Sequence, residues 1–161
     1  MQAFHAKRLS RPAGAPAPGS RTARSDPRWP QLAATLAALR LRGRFAVRIV
    51  DADCGCGTLL IETVRHARAL GFTAIEGRGI DGAPALIGRA RAAAGRLRDP
   101  AIGLVFECAD AVRALTEEAV QPADIVLWHA TDGERAAAVL RASADVVIGE
   151  AAANLAGRRA A

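Results

Sequence analysis

Seven consecutive residues, Asp51-Ala52-Asp53-Cys54-Gly55-Cys56-Gly57, gather two carboxylates, two thiols and two glycines. A largely apolar run, Phe45 to Val50, precedes them, and Thr58 to Leu70 follows with helical patterning. A strand that ends in an acid and turns through close glycines into a helix suits a nucleotide. Glycine lets the backbone approach a ligand, and the first N–H groups of the helix are free donors. The carboxylates can take hydrogen bonds from sugar hydroxyls or face a cation. Further candidates follow at intervals: Asp81, 24 residues beyond Gly57, then Asp110, then Trp128-His129.

These residues need elements to bring them together. A helix is expected over Gln31–Arg42, with Leu32, Leu36 and Leu39 on one face and Gly43 as its stop. From there strands are expected at Ala46–Asp51, Ala74–Asp81, Gly103–Cys108, Ala123–Trp128 and Asp145–Gly149, the second weakened by Gly77 and Gly79. Helices are expected between them at Thr58–Leu70, Pro84–Leu97, Ala111–Ala119 and Gly133–Ala142, with a last short one over Glu150–Ala156. Alternation of this kind predicts an α/β fold, a doubly wound and mostly parallel sheet of about five strands with helices on both faces. In such a sheet ligands bind beyond the carboxyl ends of the strands, near the point where strand order reverses. Asp51, Asp81, Asp110 and His129 all fall at strand ends.

An acid at the end of the second strand can accept hydrogen bonds from both ribose hydroxyls, which is one role for Asp81; the other is to cap the helix that starts at Pro84. The dinucleotide fingerprint G-x-G-x-x-G is incomplete, because Leu60 stands at its third glycine. That argues against a pyrophosphate ligand and so against an NAD-linked oxidoreductase. Cys54, Cys56 and Cys108, with His129, could be imagined around a metal, but C-x-C lacks the paired C-x₂-C spacing of structural zinc sites, so no metal is expected.

Composition bounds the rest. The chain has 161 residues, enough for one domain with a sizeable core, and half of them are apolar. Its net charge of +6 is concentrated at one end: residues 1–28 hold six of the 22 basic residues and one of the 16 acids. With Pro12, Pro16, Pro18 and Pro27 among them, residues 1–28 are expected to be a disordered tail, and residues 29–161 the folded domain. The nearly neutral body lacks the basic face of a nucleic-acid binder, so such a partner is expected only through the tail. The odd cysteine count fits reduced thiols in the cytoplasm. No apolar run reaches membrane-spanning length, and the basic N-terminus lacks the apolar core of a secretory signal.

In order and spacing these motifs resemble the class I S-adenosylmethionine-dependent methyltransferases, over about Arg44 to Glu150. The family's first motif, an acid, a variable residue and G-x-G-x-G, reads here Asp51-Ala52-Asp53-Cys54-Gly55-Cys56-Gly57. Its acid after the second strand matches Asp81 in Gly79-Ile80-Asp81, and its adenine-contacting acid matches Asp110 in Cys108-Ala109-Asp110-Ala111. Strand four, Ala123 to Trp128, looks like the fourth motif. The resemblance implies a Rossmann-like three-layer sandwich and S-adenosylmethionine bound by Asp51, Asp53, Gly55, Gly57, Asp81, Asp110 and Ala111. It also implies methyl transfer to an acceptor that the sequence does not name. His129 is the candidate base, with Trp128 as a pocket wall. Two departures stand out. Asp53 replaces the first glycine, and the 12 residues after Gly149 read as helix where the family closes its sheet with a strand hairpin. Both favour a minimal member or a catalytically inactive relative that serves as a binding or scaffold module.

Overall fold

Every apolar run offered as a strand enters one sheet. The computed structural model describes residues 23–128 and 133–149. After helix α1 (Trp29–Leu41), strands β1 (Ala46–Ala52), β2 (Ala74–Asp81), β3 (Ile102–Cys108), β4 (Ala123–Trp128) and β5 (Ala144–Gly149) alternate with helices α2 (Thr58–Ala69), α3 (Pro84–Ala94), α4 (Ala111–Glu118) and α5 (Gly133–Ser143). All pairings are parallel, in the order β3-β2-β1-β4-β5. The chain therefore builds outward from β1 to β3, then returns to the other side of β1 for β4. The reversal between β1 and β4 is the crevice where such sheets take ligands.

Strand side chains alternate between faces, so neighbours on β1 serve opposite layers. Ile49 joins Leu32, Leu36, Leu60, Val64 and Ile87 beneath α1, α2 and α3. Val50 joins Leu115, Val126, Trp128 and Leu140 beneath α4 and α5. Reversing the growth of the sheet moves the helices to its other face, as right-handed crossovers require. The doubly wound α/β sheet expected from the sequence is thus present. The expected Glu150–Ala156 helix and the question of a closing hairpin lie outside the described residues.

Gly77 and Gly79 leave β2 paired with strands on both sides. They sit opposite Leu104 and Phe106 on β3, and a side-chain carbon at either would collide with those residues. The missing side chains make room for large apolar neighbours across the strand pair, which offsets the usual penalty of glycine in a strand. α3 stops at Ala94, short of the expected Leu97, because Gly95 is a poor helix former.

The expected boundary at residue 29 needs correction. Ala23–Ser25 form a 3₁₀ turn, and Ala23 is buried in the core beneath α1 and α2. Arg28, counted with the basic tail, is only 5% exposed. Composition made residues 23–28 look solvated because the groups that hold them lie far along the chain.

Candidate functional site

The turn from β1 to α2 is fixed by backbone hydrogen bonds to the end of β2. The N–H groups of Asp53 and Cys54 both donate to the Ile80 carbonyl, at 2.8 and 2.9 Å, and Gly57 N–H donates to Cys54 O at 3.0 Å. Asp53, Gly55 and Gly57 all take positive φ, at 74°, 58° and 74°. Asp53 is the lone non-glycine residue in that region among the described residues. Aspartate tolerates the left-handed conformation better than most side chains, which lets it stand where a glycine was expected.

Gly57 has a second reason to be glycine. A Cβ there would lie 2.6 Å from Phe106 Cε1 and 3.1 Å from the Ala90 methyl. The third glycine of the dinucleotide pattern brings helix and strand close; here that space is supplied by Gly57 and by Gly77 and Gly79 of β2, and Leu60 is fully buried.

Asp81 ends β2, 6% exposed. Its Oδ2 accepts the Gly55 N–H at 2.9 Å and its Oδ1 accepts the Ala83 N–H at 2.7 Å. Ala83 is the cap residue of α3. Asp81 therefore braces both the glycine turn and the start of α3, and each oxygen keeps a lone pair for a ligand hydroxyl. Asp110 is the N-cap of α4, with Oδ1 accepting the Arg113 N–H at 2.9 Å, and it is exposed beyond β3. Ala111, at the first position of α4, is half-buried beside it.

Asp51 is 1% exposed, and neither of its carboxylate oxygens has a hydrogen-bond partner. The nearest cation is Arg28, whose Nη1 stands 3.8 Å from Asp51 Oδ1 and also makes no hydrogen bond. Asp26 holds the other side of that guanidinium in a fork, Oδ1 to Nε at 3.0 Å and Oδ2 to Nη2 at 2.9 Å. Burial pushes the Asp51 carboxyl up to about 7; Arg28 works against the rise, while Asp26, Asp53 and Asp81 add to it. Burial disfavours the Arg28 cation, yet the hydrogen bond to Asp26 and the charges of Asp51, Asp26 and Asp53 prevail and raise its pKa. No sequence signal linked Arg28 to the site, since it is 23 positions before Asp51 and within the basic tail.

The cysteines divide. Cys54 is buried beneath the turn, and burial pushes its thiol up, out of the reactive range. Cys56 Sγ meets Thr58 Oγ1 at 3.3 Å, and Cys108 is exposed, its thiol pointing to Gly82 O. Among the described residues no His, Cys, Asp and Glu cluster could hold a metal ion, nor is any helix long and apolar enough to cross a membrane. His129 lies outside the described residues. A cavity of about 330 Å³ lies elsewhere, between the end of α3 and edge strand β3, lined by Arg91, Leu97, Leu104 and Phe106 among others.

No protein-family model matches the sequence, and neither does any curated protein. Solved structures do match the fold. An S-adenosylmethionine-dependent methyltransferase from Agrobacterium tumefaciens superposes with a TM-score of 0.52 at 17% identity, over 75% of this chain and 42% of its own. A candidate methylase from Haemophilus influenzae gives 0.51 at 12% identity, over 73% of each chain. This chain thus spans less than half of the Agrobacterium protein and nearly three quarters of the other. The five-stranded parallel sheet and its reversal beside β1 give this chain the Rossmann-like α/β fold that these methyltransferase structures share.

Proposed function

We propose that this domain binds S-adenosylmethionine across Asp51–Thr58, Asp81 and Asp110, and that it transfers a methyl group to an acceptor still to be identified. The observation that carries the reading is the pairing of Asp81 with the glycine turn, which sets a buried carboxylate beside the reversal point of the sheet. The donor set suits the cofactor. Asp81 has lone pairs for ribose hydroxyls, Asp110 projects beyond β3 for an adenine amino group, and the orphaned Asp51 oxygens suit a ligand that brings its own cation. The cofactor, when bound, supplies an electrophilic methyl group, and the domain's task is to position the acceptor for in-line attack. His129 is the proposed base where the acceptor must lose a proton. Free cysteines and the lack of a membrane-spanning helix among the described residues accord with a cytoplasmic setting.

Two observations favour a second reading, a binding module without turnover. The Asp51 carboxylate is covered by Arg28, and Asp53 puts a side chain where the family keeps bare backbone. Thermal unfolding with S-adenosylhomocysteine and with NAD tests the cofactor. At 100 times its dissociation constant the former should stabilise the fold by about 2.7 kcal/mol, and NAD should leave the transition where it is. Stabilisation by NAD alone would overturn the methyltransferase reading. Stabilisation by S-adenosylhomocysteine with no methyl transfer to any small-molecule, protein or RNA pool would favour the binding module.

A further inference from the structure

Residues 23–28 are fastened to the domain unevenly. At one end Arg24 pairs with Glu62 on α2 at 3.0 Å and lies over the Trp29 ring, which in turn tilts against His66. Arg24 is 65% exposed, and exposed pairs of this kind contribute little. At the other end Arg28 is buried, oriented by the Asp26 fork, and aimed at Asp51 without closing a hydrogen bond. A buried donor and a buried carboxylate left 3.8 Å apart are an incomplete ion pair. Their desolvation is only partly offset by mutual attraction. The cover over Asp51 is thus held by one small buried group, the Ala23 methyl, by an exposed ion pair and by an imperfect inner one, and it occupies the carboxyl end of the strand to which a ligand must come.

We propose that the Ala23–Arg28 segment is an internal strap, in which the Arg28 guanidinium occupies the cation subsite of Asp51 and must be displaced before the ammonium end of a zwitterionic ligand can reach that carboxylate. The inference rests on the cofactor reading above. Arg28 and the incoming ammonium compete for one anion, so the strap lowers apparent affinity by the fraction of molecules in which it is open. A strap closed in about nine molecules of ten weakens binding about tenfold.

The test is calorimetric titration of S-adenosylhomocysteine into the full chain, its Arg28→Gln variant and its Asp26→Asn variant, the last loosening the fork that aims Arg28. Amide hydrogen exchange over residues 23–32 of the unmodified chain, with and without ligand, reports the strap directly. Both variants should bind about tenfold more tightly, and ligand should accelerate exchange in the strap. Equal or weaker binding by the variants, or slowed exchange on binding, would make Arg28 a ligand contact or a structural residue and overturn the strap alone. Should Arg28→Gln fail to fold, Asp26→Asn and the exchange measurement still decide. If all three chains fold and none binds, the cofactor reading falls and the strap with it.

Discussion

At the scale of single residues, Asp51 carries most of the tension in the site. It is buried, its oxygens are without hydrogen bonds, and Arg28, Asp26, Asp53 and Asp81 are the charged groups that act on it. Its carboxyl is held near 7 in the fold against an ordinary 3.8. An acid whose pKa rises on folding favours the fold when protonated. That contribution is complete below about pH 4 and is lost as pH climbs through 7. The difference of about three pH units corresponds to something on the order of 4 kcal/mol. Asp51→Asn should therefore flatten the stability profile between pH 4 and 8 relative to the unmodified chain, as read by urea unfolding at a series of pH values. Parallel profiles for the two proteins would mean that Asp51 reaches water in the fold. The position of Asp51 at a strand end was legible in the sequence, since an acid after an apolar run marks the edge of the core. Its isolation was not, because that depends on an arginine brought in from the N-terminal segment.

At the scale of elements, the order of strands and helices among the described residues was legible with ends within about three residues, and the reason is physical. Parallel strands buried on both faces are continuous apolar runs, and the amphipathic helices between them have a different period. The close contact at the heart of the site was not legible. Gly57 read as a concession to a ligand, yet a Cβ there would run into the Phe106 ring of β3, as would one at Gly79. One aromatic side chain thus fills the space that three elements leave at the turn. Gly57→Ala should cost about 3 kcal/mol, part from the left-handed backbone at φ 74° and part from overpacking against Phe106. Adding Phe106→Leu should restore the second part only. A double-mutant cycle measures this, and additive losses would show that the ring does not constrain the turn. The same cycle, followed by ligand titration, separates a glycine kept for packing from one kept for the ligand.

At the scale of the whole molecule, the sheet and its acid-ended strands could be placed from the sequence. The N-terminal boundary could not, since composition registers what a segment is made of and not which distant charge it meets. Residues 23–28 join the domain through one buried methyl group, one buried guanidinium and a few exposed contacts. A chain beginning at Ala23 retains them all; a chain beginning at Trp29 loses the Ala23 contact and uncovers Asp51. The shorter chain should accordingly be less stable at pH 5. Its Asp51 would be solvated and would titrate near the ordinary carboxylate value, so its stability should hardly change as pH rises to 8. The longer chain should lose stability over the same range, because its buried Asp51 must ionise without a hydrogen bond to hold the charge. The stability gap between the two chains is therefore expected to narrow with rising pH. Urea unfolding of both at pH 5 and pH 8 checks this. A gap that widens would mean that the Arg28–Asp51 attraction outweighs the burial of the carboxylate. The strap would then grip more firmly as pH rises, and cofactor affinity at high pH would fall with it.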